Sequence, residues 1–378
     1  MRVLVTGGAG FIGSYVVERL VERGHDVGVL DNLDPQVHGE GATQPKLIAG
    51  LVEAGKVRFQ RGDVTDREAL TTALDGVETV VHLAAAVGVG QSMYEPYYYV
   101  HTNCTGTGLL LELIVPVRKR IKKLVVASSM SLYGEGAYAC PACGDDATPR
   151  ERSAAQLDAG DWECRCAGCG ATLEPRPTPE SKTPDIASVY AATKKHQEEL
   201  CVAFGRAYDI PTFALRFFNV YGPRQSLGNP YTGVAAIFLS RLLNGQPPLV
   251  FEDGGQSRDF VNVLDIADAV VRSAEYEGQG AHVLNVCSGT GTSIRAVGEE
   301  LQRQLRVDAA PKLLERYRAG DIRHCVGDPT KARDVLGFEA RLTLAQGLPA
   351  LIEWCRSQTA PDKVEASLEE LTARGLVR

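Results

Sequence analysis

The chain has 378 residues, of which 44% are hydrophobic and 23% charged, the balance of a soluble globular protein long enough for two domains or one large α/β domain with an appendage. No apolar run approaches the roughly 18 residues of a membrane span, and a net charge of −7 provides no overall basic field, so neither a membrane nor a nucleic-acid partner is expected. Met1 runs straight into strand-like Arg2-Val3-Leu4-Val5, so no signal peptide and a cytoplasmic location are expected.

Arg2 to Thr6 is a short apolar run, followed at once by Gly7-Gly8-Ala9-Gly10-Phe11-Ile12-Gly13 and a helical pattern to about Arg23. Strand, glycine turn and helix in that order are the context a dinucleotide signature needs. Gly7 permits the tight turn, and Gly10 lets the backbone approach a pyrophosphate at the helix N-terminus. Gly13 lets helix and strand pack closely, and Phe11 and Ile12 stand between them at the cofactor. The next strand, Val27 to Leu30, ends in Asp31-Asn32, and Asp31 is 31 − 13 = 18 residues past Gly13. A carboxylate there accepts from the adenosine ribose hydroxyls and repels a 2′-phosphate, which selects NAD over NADP.

Val57 to Gln60 leads to Gly62-Asp63-Val64, where Asp63 and Val64 border the adenine. Thr79 to Leu83 leads to Ala84-Ala85-Ala86, placing Leu83, Ala84 and Ala85 at the nicotinamide ribose, and Lys123 to Ala127 ends at Ser128-Ser129. Strands alternating with helical segments predict a Rossmann α/β fold, a doubly wound parallel sheet with its ligands at the carboxyl ends of the strands.

Ten cysteines are the one unusual count, and five of them fall between Cys140 and Cys169. Without a secretory signal, cysteines paired two residues apart read as metal ligands before disulfides. Cys140-Pro141-Ala142-Cys143-Gly144 and Cys166-Ala167-Gly168-Cys169-Gly170 are two such pairs, each followed by a glycine that allows a φ > 0 bend. Cys140, Cys143, Cys166 and Cys169 make the closed four-thiolate set of structural zinc, with no open position for catalytic water. Cys164 is a fifth thiol that competes with Cys166 for its place. Residues 136–182 are expected to form a small zinc-ribbon-like insertion.

Tyr190-Ala191-Ala192-Thr193-Lys194 opens a helix on which positions i and i+4 share a face. A free phenol titrates near ~10, and Lys194 with the positive nicotinamide ring is expected to lower that of Tyr190 into the range of a base. Ser129 would then hold the substrate oxygen opposite the tyrosine. Residues 1–216 without the insertion, together with 258–286, are assigned to the NAD-binding domain. Residues 217–257 and 287–340 form a discontinuous second domain, and 341–378 a helical tail.

The Gly7 to Gly13 turn, Asp31, Ser128-Ser129-Met130-Ser131-Leu132-Tyr133-Gly134 and the Tyr190/Lys194 pair resemble the extended short-chain dehydrogenases that act on nucleotide sugars. So do Arg216-Phe217-Phe218-Asn219-Val220-Tyr221-Gly222-Pro223-Arg224, Arg258-Asp259-Phe260-Val261 and Arg318-Ala319-Gly320-Asp321. The likeness covers nearly the whole chain except about residues 136–182. It implies Ser129, Tyr190 and Lys194 as the catalytic set, with Ser128 beside them at the substrate. Asn219 matches the residue that hydrogen-bonds the nucleotide diphosphate, Arg258 and Arg318 match the arginines that grip its phosphates, and Asp321 matches the ligand of the nucleotide ribose. Arg224 joins this substrate set. Guanidinium forks suit phosphate oxygens, whereas Tyr133 and Phe217 are expected to pack. The resemblance also implies a homodimer through two helices per subunit, one following Tyr94 to Asn103 and one carrying Tyr190.

Members of this family begin by making a 4-keto sugar, so the residues available afterwards decide the reaction. By resemblance, dehydratases place Asp and Glu directly after the catalytic residue, and decarboxylases a Glu. Here Met130 and Ser131 stand there, and neither serves as a general acid or base near neutral pH. The expectation is a 4-epimerase that oxidises a nucleotide-diphosphate sugar at C4 and returns hydride to the opposite face. Within the family, the Ser-Met-Ser segment, the run from His82 to Met93 and the cysteine insertion resemble the actinobacterial dTDP-L-rhamnose 4-epimerase group. A dehydrogenase or reductase, a 4,6-dehydratase and a catalytically silent dinucleotide-binding sensor are the competing readings. Retention of Ser129, Tyr190 and Lys194 speaks against the last.

Overall fold

The computed structural model describes residues 1–144, 147–226, 233–318, 320–358 and 364–377. Ala319 of the Arg318-to-Asp321 run and parts of segments 136–182, 217–257 and 341–378 lie outside the described residues.

The first sheet contains β1 (Arg2–Thr6), β2 (Asp26–Asp31), β3 (Val57–Arg61), β4 (Thr79–His82) and β5 (Lys123–Ser129), with Thr212–Phe217 and Ala281–Val286 beyond them. All pairs are parallel, in the order β3-β2-β1-β4-β5, then 212–217, then 281–286. The order reverses between β1 and β4, and the crevice outside that point is where ligands of open α/β sheets bind. The strands are apolar on both faces because helices cover both. Val3 and Val5 pack with Val16, Val17 and Leu20 of α1 (Phe11–Glu22). Leu4, one residue out of phase, packs with Leu110 and Ile114 in the opposite layer.

A second sheet departs from the expected domain division. Ser257–Asn262, of which residues 258–262 are assigned above to the NAD-binding domain, pairs instead with Asn219–Tyr221 on one side and with His324–Gly327 on the other. The place beside Thr212–Phe217 in the first sheet is filled by Ala281–Val286, so no edge remains there for 257–262. The intervening helix, Val263–Glu275, does pack on the first domain against α1.

The insertion is built into this second sheet. Glu174–Thr178 pairs in parallel with the end of His324–Gly327 and antiparallel with Ala137–Ala139. Beyond these strands, Tyr138, Cys140, Cys164, Cys166 and Leu173 form a small core of its own. The tail is likewise more than an appendage. Its helix Leu344–Arg356 opens with a Thr343/Gln346 capping box and buries Leu348, Leu351 and Ile352 against Phe238, Val297 and Leu301 of the second domain. Among the described residues no helix is long and apolar enough to cross a membrane.

Candidate active site

One cavity of about 1140 Å³ runs from the glycine turn across the ends of β1, β4 and β5 into the second domain. Every residue assigned above to cofactor, catalysis or substrate contributes to its wall. Gly7 stands at φ +70°, and a Cβ there would lie 2.8 Å from the Ala84 nitrogen; a Cβ on Gly13 would lie 2.1 Å from the Gly7 carbonyl oxygen. Gly10 has no atom closer than 3.5 Å to that position, which leaves its face open to a ligand. The Asp31 carboxylate accepts from Ala9 N (3.0 Å) and Leu33 N (2.9 Å), so it is fixed beside the turn. Asn32 donates to Asp63 (2.8 Å), which also accepts from Thr65. Burial pushes the Asp63 carboxyl up, but the Thr65 and Asn32 hydrogen bonds outweigh it and hold it below the usual range.

At the end of β5 the two serines part. Ser128 Oγ donates to Glu198 (2.7 Å), itself held by two guanidinium hydrogen bonds from Arg216 (2.9 and 2.7 Å). Its hydroxyl is thus committed to a buried ion pair. Ser129 Oγ accepts from Ser131 N (3.2 Å) and lies close enough to the Tyr190 phenol to draw its pKa down. Ser188 caps the helix Val189–Tyr208 by accepting from Ala191 N. Tyr190 N donates to Ser92 Oγ (2.9 Å), and the Tyr99 ring meets the Tyr190 ring edge-on at 6.3 Å.

One turn further on, Lys194 Nζ donates to Gln197 Oε1 (2.6 Å), and burial draws its pKa down to about 8. Tyr190 moves the other way, because burial raises its pKa and Ser129 only partly offsets this. The lowering expected of Lys194 acts together with the nicotinamide ring, and among the protein's own groups burial is the larger influence on the phenol. The Lys194 ammonium is engaged by Gln197.

Asn103 is a residue that sequence reasoning passed over. It sits in a π-helical turn, Val100–Thr105, a device common at functional sites. Its side chain accepts from Ala86 N (2.7 Å) and donates to Ala86 O (3.1 Å) and Thr193 Oγ1 (2.9 Å). The loop after β4 is thereby tied to the helix that carries Tyr190. No local pattern announces the extra residue of a π turn.

The cavity extends over the second domain to Arg258, Arg318 and Asp321. Asp321 pairs with Arg258 (3.1 Å) and Arg318 (2.7 Å); burial pushes its carboxyl up, the two arginines pull it down further, and it settles at about 2. Asn219 Oδ1, Gln225 Oε1, Gln256 Oε1 and Trp354 Nε1 are buried on this wall with no hydrogen-bond partner among the described residues. Such atoms are rare in native proteins, and here they face a space sized for ligands. Asn219 and Gln225 belong to the 219–225 stretch whose sequence is expected to shape the sugar pocket; Gln256 and Trp354 arrive from loop and tail through tertiary folding alone. Arg224 turns the other way, donating to Glu18 (2.8 Å) and Ser14 (3.3 Å) with its guanidinium 4.2 Å from the Tyr15 ring. It braces α1 at the cofactor end. Tyr133 packs fully buried, with its hydroxyl donating to Asn285 (2.7 Å).

Away from the cavity, the sulfurs of Cys140, Cys143, Cys166 and Cys169 all lie within 4.8 Å of one another. Cys140 and Cys169 are 3.4 Å apart, and Cys143 and Cys166 3.9 Å. Thiolates bound to a tetrahedral ion at ~2.3 Å stand about 3.8 Å apart, so this group could chelate one metal ion. Gly144 and Gly170 adopt φ +93° and +78° as the knuckles require. Cys164 stands outside the group, buried with its thiol on the Tyr138 hydroxyl (3.3 Å).

Comparison with known proteins agrees with this geometry. The chain is 36% identical over 364 residues to a dTDP-L-rhamnose 4-epimerase of Burkholderia thailandensis, covering 93% of this chain and 94% of that one. Its fold is similar to a crystal structure of the Thermotoga maritima UDP-glucose 4-epimerase with UDP-glucose, at a TM-score of 0.75 and 30% identity over 94% of this chain and 99% of that one. It is similar also to the Thermus thermophilus UDP-glucose 4-epimerase in complex with NAD, at a TM-score of 0.72 and 29% identity over 95% and 100%. Residues 3–165 and 166–287 match the family model itself, and the chain belongs to the NAD dependent epimerase/dehydratase family.

Proposed function

We propose that this protein is an NAD-dependent 4-epimerase of a nucleotide-diphosphate sugar. The observation that carries the reading is the distribution of acids around the base. Among the described residues the carboxylates on the cavity wall are Asp31, Asp34, Asp63 and Asp321. The first three are engaged at the adenosine end and Asp321 is paired with two arginines. Beside Ser129 and Tyr190 stand Met130 and Ser131 instead, so a dehydratase's second acid/base has no candidate there.

The residues fit NAD: the open face of Gly10 would take the pyrophosphate, Asp31 the adenosine ribose, and Asp63 and Val64 the adenine. When bound, NAD supplies the hydride acceptor and a positive ring that favours the phenolate. Tyr190 takes the proton of the sugar 4-hydroxyl as the C4–H bond breaks, and Ser129 holds the oxygen of the resulting ketone by a hydrogen bond. Tyr190 returns the proton as the C–H bond is remade on the opposite face, so no atom is gained or lost. Asn219, Arg258 and Arg318 would hold the diphosphate while the sugar turns. NMR of the products from UDP-, dTDP-, CDP- and GDP-sugars tests this. A C4 epimer is expected, and a 4-keto-6-deoxy sugar, a pentose or net NADH release would refute it.

Within the family, likeness to the Burkholderia enzyme favours a dTDP-6-deoxyhexose of the rhamnose type as the substrate. The four thiols suit a structural zinc ion. Ten free cysteines suit a reducing cytoplasm, and exposed Tyr97 and Val100 on the helical stretch after Tyr94 suit a homodimer interface.

A further inference from the structure

The insertion grips the second domain by more than strand pairing. Arg152, its side chain 6% exposed, reaches out of the insertion. Its Nη1 donates to Glu252 (2.9 Å) and to the Trp162 carbonyl (3.1 Å), and its Nη2 to the Asp321 carbonyl (2.8 Å). Glu252 is itself buried at φ +53°, a costly conformation for a residue other than glycine. Glu252 also accepts from Arg323 (3.0 Å), whose guanidinium returns to Glu163 of the insertion (2.6 Å). Buried charges of this kind persist only when so fully paired.

Of these two arginines, Arg152 is the one that belongs to the insertion, and it reaches the backbone of Asp321. The carbonyls of 321, 322 and 323 take guanidinium hydrogen bonds in succession, the first from Arg152 (2.8 Å) and the next two from Arg258 (2.6 and 3.1 Å). Next to Glu252, the Phe251 ring lies 4.7 Å from the Arg318 guanidinium. Arg152 therefore clamps Glu252, next to the wall residue Phe251, to the backbone of the wall residue Asp321, without itself lining the cavity. We infer that Arg152 is a positioning residue for nucleotide recognition, acting through the backbone of Asp321 and through Glu252 to set where Arg258, Arg318 and Asp321 stand. The inference rests on the reading that these three hold the nucleotide diphosphate and its ribose.

Calorimetric titration of UDP and dTDP into the NAD-loaded protein, with turnover measured alongside, tests both. Arg152→Met should weaken nucleoside diphosphate binding at least ~10-fold, the loss of a charge-assisted hydrogen bond, and raise KM to match. The kcat should stay within about threefold, and NAD content should be unchanged. Arg152→Lys keeps the charge beside Glu252 but not the fork and should fall between the two. Arg318→Met, which removes a direct contact, should weaken binding as well. Wild-type affinity in Arg152→Met with loss in Arg318→Met overturns the inference and leaves the site assignment standing. Wild-type affinity in both overturns the assignment and the inference with it. Loss of kcat and NAD content with nucleotide affinity intact marks Arg152 as merely structural and also overturns the inference. If Arg152→Met does not fold, Arg152→Lys decides, and wild-type affinity there refutes the role.

Discussion

Asp321→Asn removes one charge at the meeting point of two guanidiniums and alters little else, since Asn keeps the side chain's size and can still accept from Ile322 N. In the native protein burial pushes the Asp321 carboxyl up, but Arg318 and Arg258 bring it down to about 2. An unfolded aspartate titrates near ~3.9, so the carboxylate contributes about 2.5 kcal/mol to native stability at neutral pH. The native value is the lower one, so this contribution is present above the unfolded value and is lost as pH falls. It is complete above about pH 5, roughly half gone at pH 3 and nearly absent below about pH 2. Urea unfolding of wild type and variant at pH 6 and pH 3 measures the difference. The variant should be weaker by about 2.5 kcal/mol at pH 6 and by about half that at pH 3. Equal stabilities at pH 6, or a gap that does not narrow, would show that the two arginines do not stabilise this charge.

Tyr190→Phe keeps the ring and its edge contact with Tyr99 but loses the ionisable group. Turnover should fall at least ~100-fold with NAD content preserved, and a loss of only a few-fold would sink the assignment. NADP should bind at least ~10-fold more weakly than NAD, about 1.4 kcal/mol, because Asp31 is held in place by Ala9 and Leu33; equal affinities by calorimetry would mean that it does not face the ribose. Metal analysis should find about one zinc ion per chain. Cys143→Ser should lose it and open the knuckles to proteolysis, whereas metal-free protein with all five insertion thiols freely titratable would end that idea.

The parts of the site that were legible in the sequence are those whose geometry is local. Gly7, Gly13 and Asp31 lie on one strand–turn–helix–strand unit, where spacing alone dictates proximity. Tyr190 and Lys194 are one helical turn apart, and each Cys-x-x-Cys-Gly is a single bend. What could not be read there was decided between distant segments. Ser128 and Ser129 are adjacent and chemically alike, yet Glu198, 70 residues on, claims one of them. Arg224 and Arg258 are both cavity arginines, but Glu18 turns the first toward α1. Ser257–Asn262 reads equally well as a strand of either sheet, and competition with Ala281–Val286 for one edge settles the matter. The tail showed no chemical motif because Trp354 becomes a wall residue only once its helix has packed.

The route of the chain through the insertion also bears on how the site is held. It leaves the cavity at Ser129, adds strands 137–139 and 174–178 to the second sheet beside 324–327, and re-enters the cavity at Ser188 and Tyr190. Enlarging such a connection costs little entropy, because loop closure grows only with the logarithm of length, and the added strand pairs recover their own backbone hydrogen bonds. The same excursion joins Ser129 and Tyr190 to the strand that Asp321 precedes. None of the four clustered cysteines lines the cavity, and a four-thiolate set has no open coordination position. An ion held there can reach the reaction only through geometry, along the strand pairs and the Arg152 and Arg323 bridges. On the proposed reading, the insertion would act on where the nucleotide is held, while proton transfer would remain with Tyr190.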